Sequence, residues 1–169
     1  ISYIKSGGHS AVAKSIIEDV ALVKHFKSLG FKTIFVNGLN IAYCRMYNTL
    51  SHCIEGFAKN LFAGFEFNYF KYFIFLIHVV VVYLIPPIVA IAVVFNLISF
   101  TDKTIYLSLS ATIIPIFIRL LMSVKFNISI KHSYLFILSM SLALLIGFLS
   151  WYRHFFNKTS WKNRQYILK

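Results

Sequence analysis

Acidic residues are scarce in this chain of 169 residues, in which five Asp and Glu accompany 17 Lys and Arg. Charged residues of both signs make up 13% of the sequence, whereas roughly 25% is usual in a soluble domain. The hydrophobic share of 59% is correspondingly high. This composition excludes an ordinary soluble protein and predicts a membrane protein.

Cysteine is also rare. Cys44 and Cys53 form no CxxC pattern, and no histidine lies near them at metal-ligand spacing. The sequence therefore excludes a disulfide framework and a zinc site, and it predicts two free thiols in a reducing compartment.

The excess of basic residues raises the question of nucleic acid. Nucleic-acid-binding proteins usually carry Lys and Arg on one folded basic face, but here these residues flank apolar segments. We therefore expect contact with anionic phospholipid headgroups and no nucleic-acid partner.

The first 47 residues predict a loop, a helix and two strands. Paired glycines at 7–8 indicate the loop, and apolar residues recur at helical spacing before Gly30, a plausible C-terminal cap. Residues 31–36 are rich in β-branched and aromatic side chains, and a turn dipeptide at 37–38 separates them from a second extended run over 39–47. The predicted fold of 1–47 is thus an α/β fragment.

Residues 48–72 predict an amphipathic helix and a linker. Over 49–66 apolar side chains recur on one helical face and polar side chains on the other. An aromatic and lysine cluster of the kind found at headgroup depth follows directly. We expect this helix to lie flat on the membrane surface.

Residues 73–151 contain three apolar spans, at 73–100, 104–122 and 133–151, each long enough to cross a hydrocarbon core of about 30 Å. Pro86 and Pro87 remove helix donors, so the first span is either strongly kinked or a re-entrant pair of half-helices.

Charge placement bears on the topology, because three crossings would separate the basic N-terminal region from the basic tail at 152–169. The positive-inside rule opposes that separation. A first span that does not cross, followed by two crossings, keeps both regions in the cytoplasm. Lys125, Lys131 and His132, which this topology places outside, argue against it. The predicted localisation is a multi-pass protein of the cell membrane with its catalytic part in the cytoplasm.

Arg119 lies within the second span, where a cation is costly. One reading is functional, with the guanidinium pairing with a lipid phosphate or with Asp102. The other is that Arg119, close to the end of the span, extends to the nearer membrane surface.

Three short segments carry the resemblance to a known family: Gly7-Gly8-His9, the helix containing Glu18-Asp19, and Lys27-Ser28-Leu29-Gly30. Together they resemble the acceptor half of family 2 glycosyltransferases with the GT-A fold. The resemblance implies that Asp19 is the catalytic base, with Glu18 beside it, because inversion at the anomeric carbon requires a carboxylate to take the proton of the attacking hydroxyl. Taken alone, the Glu18-Asp19 pair could instead stabilise the helix through a favourable interaction with the helix dipole.

Further segments are similar to membrane glycosyltransferases that act on carotenoid or hopanoid lipids, such as the diaponeurosporenoate glycosyltransferases. They are Cys44-Arg45-Met46-Tyr47, then Glu55-Gly56-Phe57-Ala58-Lys59-Asn60, and finally Trp161-Lys162-Asn163-Arg164-Gln165-Tyr166. Two departures stand out. Phe57 replaces a tryptophan, which argues against a polysaccharide synthase, and Asn163 replaces a glycine of the narrower group.

The resemblance also suggests binding residues for the acceptor and the diphosphate: Gly7, Gly8, His9, Arg45, Lys59, Trp161 and Arg164. Arg45 and Lys59 are the cations expected to assist the leaving diphosphate, although a surface arginine and a lysine at the interface are the plain alternatives. His9 either orients an acceptor hydroxyl or closes its loop through a backbone hydrogen bond. The tail segment at 161–166 is otherwise an interfacial anchor.

The sequence has no Asp-x-Asp motif, which in family 2 enzymes holds a divalent metal against the diphosphate of the donor. We therefore expect no metal ligands in this chain, and Mg²⁺ or Mn²⁺ in a complete enzyme whose nucleotide-binding half is supplied in cis or as a separate chain. The predicted function is inverting transfer of a hexose from a nucleotide sugar to a membrane lipid. The alternative is a non-catalytic membrane module, such as a transporter fragment or a supporting subunit.

Overall fold

The computed structural model describes residues 2–38, 41–95, 101–156, 158, 160–161 and 164–165. Helices form most of this part of the chain. In order they are α1 (Ser2–Lys5), a 3-10 helix (Gly8–Val12), α2 (Glu18–Ser28), α3 (Leu50–Gly64), α4 (Tyr69–Val79), a π-helical segment (Val80–Leu84), α5 (Ile85–Val94), α6 (Asp102–Lys125), a second 3-10 helix (Ile130–Leu135) and α7 (Phe136–Phe155).

The predicted α/β fragment is wrong. Residues 31–38 and 42–47, assigned to two strands from their side chains, have no regular structure. Among the described residues, strand pairing is limited to β1 (Ser160–Trp161) and β2 (Arg164–Gln165), which are antiparallel. The reason is that β-propensity reflects packing on a sheet, and here Ile34 and Phe35 are 84% and 92% exposed, with no neighbouring strand to cover them.

The predicted helix before Gly30 is confirmed as α2, including its cap. Gly30 adopts a left-handed conformation with φ +79°. Its N–H donates to the carbonyl of Lys27, and the N–H of Phe31 donates to the carbonyl of Phe26. The rings of Phe26 and Phe31 lie 5.8 Å apart. These bonds and this contact are the features of a Schellman motif, which satisfies the last carbonyls of the helix.

The chain forms two compact units, Ile1–Phe67 with Ser150–Lys169, and Asn68–Leu149. In the first unit, Thr49 caps the N-terminus of α3, and its side chain accepts the N–H of His52. The backbone N–H of Phe62 donates to Ser150 Oγ over 3.0 Å. The ring of Phe67 stacks on His154 at 4.6 Å. The residues just before and just after the segment 68–149 therefore pack together.

Three helices among the described residues are long and apolar enough to cross a membrane: Tyr69–Val94, Asp102–Lys125 and Ile130–Phe155. They identify the chain as a membrane protein, as the composition predicts. The helix that was expected at the membrane surface is present as α3, and its position at that surface stays a prediction.

The first apolar helix runs continuously through Pro86 and Pro87. Prolines lack the N–H that would bond to the carbonyls of Val82 and Tyr83. The backbone responds with the π-helical segment Val80–Leu84 immediately before them. Such a wider turn is a known accommodation of lost helical hydrogen bonds.

Within the second unit, α4 and α7 lie side by side in opposite directions. Tyr72, which is fully buried, donates its hydroxyl proton to the carbonyl of Gly147 over 2.8 Å. Farther along, the rings of Tyr83 and Phe136 meet edge to face at 5.7 Å. Within this unit, the first apolar helix therefore runs antiparallel to the 136–147 part of α7.

Candidate functional site

The pair Glu18-Asp19 forms the first turn of α2, and the side chains of both residues are exposed. A carboxylate is favourable here because the free N–H groups at a helix start carry partial positive charge. Asp19 Oδ1 also accepts the N–H of Val20 over 2.9 Å. The exposed position leaves the carboxylate accessible to a hydroxyl group.

Lys59 on α3 is close enough to both carboxylates for their charges to act on it. Burial lowers the pKa of the Lys59 ammonium below its usual value, and the charges of Glu18 and Asp19 partly offset this effect by raising the pKa. Three of the predicted site residues, distant in the sequence, thus lie within electrostatic range of one another. We call Glu18, Asp19 and Lys59 the charged cluster.

The Gly7-Gly8-His9 loop wraps around the ring of Tyr3. A Cβ built on Gly8 would lie 2.5 Å from the Tyr3 ring, and Gly8 has φ +54°, a backbone conformation that favours glycine. Tyr3 Oη accepts the N–H of His9 over 3.1 Å and lies 2.6 Å from His9 Nδ1. The Tyr3 hydroxyl thus contacts both the backbone and the ring of His9 and holds the loop in place.

A hydrogen bond connects this loop to the helix that carries the carboxylates. His25 Nε2, on α2, lies 2.9 Å from the carbonyl oxygen of Ser6 and donates to it. The loop is therefore fixed to α2 as well as to Tyr3. The backbone N–H of His9 helps to close the loop through Tyr3, and the role of its side chain in orienting an acceptor hydroxyl stays a prediction.

Two of the sequence segments that carry the narrower resemblance contact each other. The Tyr47 ring lies against Gly56 so closely that a Cβ there would be 2.5 Å from a ring carbon. The rings of Tyr47 and Phe57 are 5.8 Å apart. Burial raises the pKa of the Tyr47 phenol, and the neighbouring Cys53 thiol, when ionised, raises it further.

The tail contributes its backbone to the same region. Trp161 and Arg164 are paired directly across the two short strands. The strand β1 lies next to α3, the helix that carries Gly56 and Lys59. The departure noted at Asn163 lies outside the described residues.

Arg45 is not brought into the cluster. It is exposed in the irregular segment before α3, and within the part of the chain that the structure describes it makes no hydrogen bond or ion pair. Its predicted contact with a diphosphate stays a prediction.

Sequence reasoning missed a cavity of about 370 Å³ between α2 and the end of α3. Its floor is apolar, and its charged residues are Lys14, Lys24 and Glu66. Lys24 and Glu66 form an ion pair. Glu66 and Phe67 both adopt left-handed conformations, with φ 54° and 57°. The sequence contains no local signal for this ion pair, because Lys24 and Glu66 are 42 residues apart.

Metal binding can be tested directly against the described residues. No group of three or more His, Cys, Asp or Glu side chains within them could hold a metal ion. The described residues therefore do not fit the Mg²⁺ or Mn²⁺ expected in a complete enzyme.

Comparison with known proteins adds no relative: no family model, curated protein or solved structure matches the chain. The relation to family 2 glycosyltransferases therefore rests on the residues quoted above.

The contact between Tyr47 and Gly56 makes a testable prediction. Gly56→Ala should lower the free energy of unfolding by about 1–3 kcal/mol, because the new methyl group overlaps the Tyr47 ring. The matched control is Gly38→Ala, where an added Cβ meets no atom within 4 Å. In a Tyr47→Ala background, Gly56→Ala should no longer destabilise the protein. Equal denaturation midpoints for Gly56→Ala and Gly38→Ala would show that the contact is absent.

The charged cluster makes a second prediction, about ionisation. The double variant Glu18→Gln/Asp19→Asn should lower the pKa of Lys59 further, because both carboxylates raise it. The measurement is the pH at which Lys59 becomes half-reactive toward an amine-acylating reagent, followed by mass spectrometry. Lys27, about 12 Å from Asp19 along α2, is the internal control. An unchanged Lys59 midpoint would contradict the cluster.

The same lowered pKa fixes a pH dependence of stability. Between the folded-state pKa of Lys59 and its higher unfolded-state value, the unfolded chain binds more protons, so this residue makes stability rise with pH across that interval. Lys59→Met should remove that contribution.

Proposed function

We propose that this chain is the acceptor-side, membrane-embedded part of an inverting glycosyltransferase that moves a hexose from a nucleotide sugar to a membrane lipid. The observation that carries the proposal is the charged cluster, in which α2 supplies Glu18 and Asp19 and α3 supplies Lys59. A base and a cation are the two groups that such a displacement requires.

The proposed step balances in the following way. A hydroxyl or carboxyl oxygen of the lipid attacks the anomeric carbon, and the bond from that carbon to the diphosphate oxygen breaks. The diphosphate leaves with the electron pair, and Asp19 takes the acceptor proton. Lys59 stabilises the negative charge that grows on the diphosphate. Its partial burial strengthens that effect, since charges interact more strongly where water is excluded.

A lipid acceptor is supported by the position of the cluster in the chain. Lys59 lies on α3, and after the turn at 65–67 the first apolar helix begins at Tyr69. Lys59 is therefore only ten residues before the first apolar helix in the sequence, which supports an acceptor that is dissolved in the bilayer. Carotenoid-like and hopanoid-like lipids are the acceptor classes that the narrower resemblance suggests.

The packing within each unit supports an even number of membrane crossings. Residues on both sides of the segment 68–149 belong to one unit, where Phe62 bonds to Ser150. If this unit stays on one face of the membrane, the segment must return to the face from which it started. Of the three apolar helices, two then cross completely. This topology keeps both basic regions on one face, which by the positive-inside rule is the cytoplasmic face of the cell membrane.

The proposed enzyme needs a nucleotide-binding half, in cis or as a separate chain, to bring the donor. Exposed apolar side chains on the first unit support the proposal that a further portion of protein binds there. Ile34, Phe35 and Val36 are consecutive and each is at least 77% exposed. Apolar surface of this kind usually marks a protein interaction.

A specific observation favours the rival function, a non-catalytic membrane module. The bond from the Val20 N–H to Asp19 Oδ1 is what a carboxylate at a helix start makes without any catalytic role. In that case the Glu18-Asp19 pair only stabilises α2.

The test measures transfer of radiolabel from UDP-glucose, and from a panel of other nucleotide sugars, into lipid extracted from membranes that hold the chain with its nucleotide-binding half. Asp19→Asn should slow transfer by about 100-fold or more, because general-base catalysis contributes that much. Asp102→Asn makes the same chemical change far from the cluster in the sequence and should leave the rate unchanged.

The outcomes separate the two functions. Label that disappears only with Asp19→Asn supports the transferase. Equal rates in both variants would remove Asp19 as the base, and no label from any donor would favour the non-catalytic module.

A further inference from the structure

A group of cations lies at the hairpin where α6 ends and the second 3-10 helix begins. Arg119 and Lys125 are on α6, and Lys131 and His132 are on the 3-10 helix. The two elements are joined by a buried hydrogen bond of 3.3 Å between Ser123 Oγ and Ser133 Oγ. We call this region the basic hairpin.

Arg119 is placed on the inner side of the basic hairpin. It precedes Ser123 by one helical turn and so shares its face, which contacts the 3-10 helix. Within the part of the chain that the structure describes, the buried Nε atom of Arg119 has no hydrogen-bond partner. A guanidinium is costly in this setting unless an acceptor reaches it.

The second unit supplies no carboxylate for this purpose. Asp102 is the acidic residue in the sequence from 68 to 149. Asp102 and Arg119 are on the same continuous helix, and 17 residues at about 1.5 Å per residue separate them by about 25 Å. The pairing with Asp102 that the sequence left open is therefore excluded.

We propose that the basic hairpin binds the phosphate of an anionic phospholipid. The planar guanidinium of Arg119 can hold two phosphate oxygens, and the ammonium groups of Lys125 and Lys131 add attraction near the same point. This site is separate from the charged cluster and does not depend on the proposed transferase activity.

The surroundings of Arg119 favour a lipid over a soluble phosphate. Arg119 lies in a helix apolar enough to span a membrane. Its neighbours Phe117, Ile118 and Leu121 are 57%, 54% and 54% exposed. These side chains lie on other faces of α6 than Arg119 and offer contact to acyl chains around the helix at the same depth, whereas a free phosphate ion makes no such apolar contact.

The experiment is native mass spectrometry of the full chain in detergent with added phosphatidylglycerol or phosphatidylcholine of identical acyl chains. The wild type should retain phosphatidylglycerol in preference to phosphatidylcholine, and excess inorganic phosphate should not displace it. Arg119→Gln should reduce retention of phosphatidylglycerol by about five-fold, the effect expected for one basic residue near an anionic surface.

Two further variants complete the design. Lys103→Gln makes the same charge change at the opposite end of α6 and should retain phosphatidylglycerol as the wild type does. Lys131→Gln alters an exposed side chain of the hairpin and should weaken retention of phosphatidylglycerol about as much as Arg119→Gln. If Arg119→Gln does not fold, Lys131→Gln tests the proposal in its place. Wild-type retention in both hairpin variants, equal retention of the two lipids, or displacement by inorganic phosphate would overturn the proposal.

Discussion

The packing of the last apolar helix against the end of α3 is the constraint on which the rest of the first unit depends. The Phe62 N–H bonds to Ser150 Oγ, and the Phe67 ring stacks on His154. Phe62 itself is almost completely buried. Because these contacts hold α3 in place, they also position Lys59, which lies on α3. The chain must therefore leave and rejoin one unit, whatever path the apolar helices take between.

Because carboxylates are scarce, few cations in this chain can be paired with an acidic side chain. In the first unit, Glu18 and Asp19 act on Lys59, and Glu66 pairs with Lys24. In the second unit, Asp102 is too far along α6 to reach Arg119. The first unit thus pairs some of its cations with its own carboxylates, whereas the second unit offers the basic hairpin no carboxylate within reach. A bilayer offers anions in its headgroups.

Local sequence signals predicted the local features of the fold. Apolar spacing indicated α2 and α3, and Gly30 marked the end of α2 through its left-handed backbone. Hydropathy located the three apolar helices, because their length and composition suffice for that. The strands over 31–47 failed because β-branched residues form strands only when another strand pairs with them.

Contacts between particular side chains could not be predicted from these signals. Neither periodicity nor hydropathy places Tyr3 against Gly8 or Tyr47 against Gly56, although the residues of each pair are close in the sequence. The association of Glu18 and Asp19 with Lys59 was suggested by family resemblance, since nothing in their spacing of about 40 residues indicates proximity. The return of the chain to its first unit likewise depends on contacts of Ser150 and His154. Hydropathy does not distinguish these two residues from others near the end of an apolar span.

Cysteine accessibility in sealed vesicles tests the central claim that the two ends of the membrane segment lie on one face. Cys44 is naturally exposed, and Lys158→Cys and Ser129→Cys can each be made in a background without other thiols. The account predicts that a membrane-impermeant maleimide labels Cys44 and the cysteine at 158 from the same side, and the cysteine at 129 from the other. Labelling of Cys44 and the cysteine at 158 from opposite sides would show three complete crossings and contradict the account.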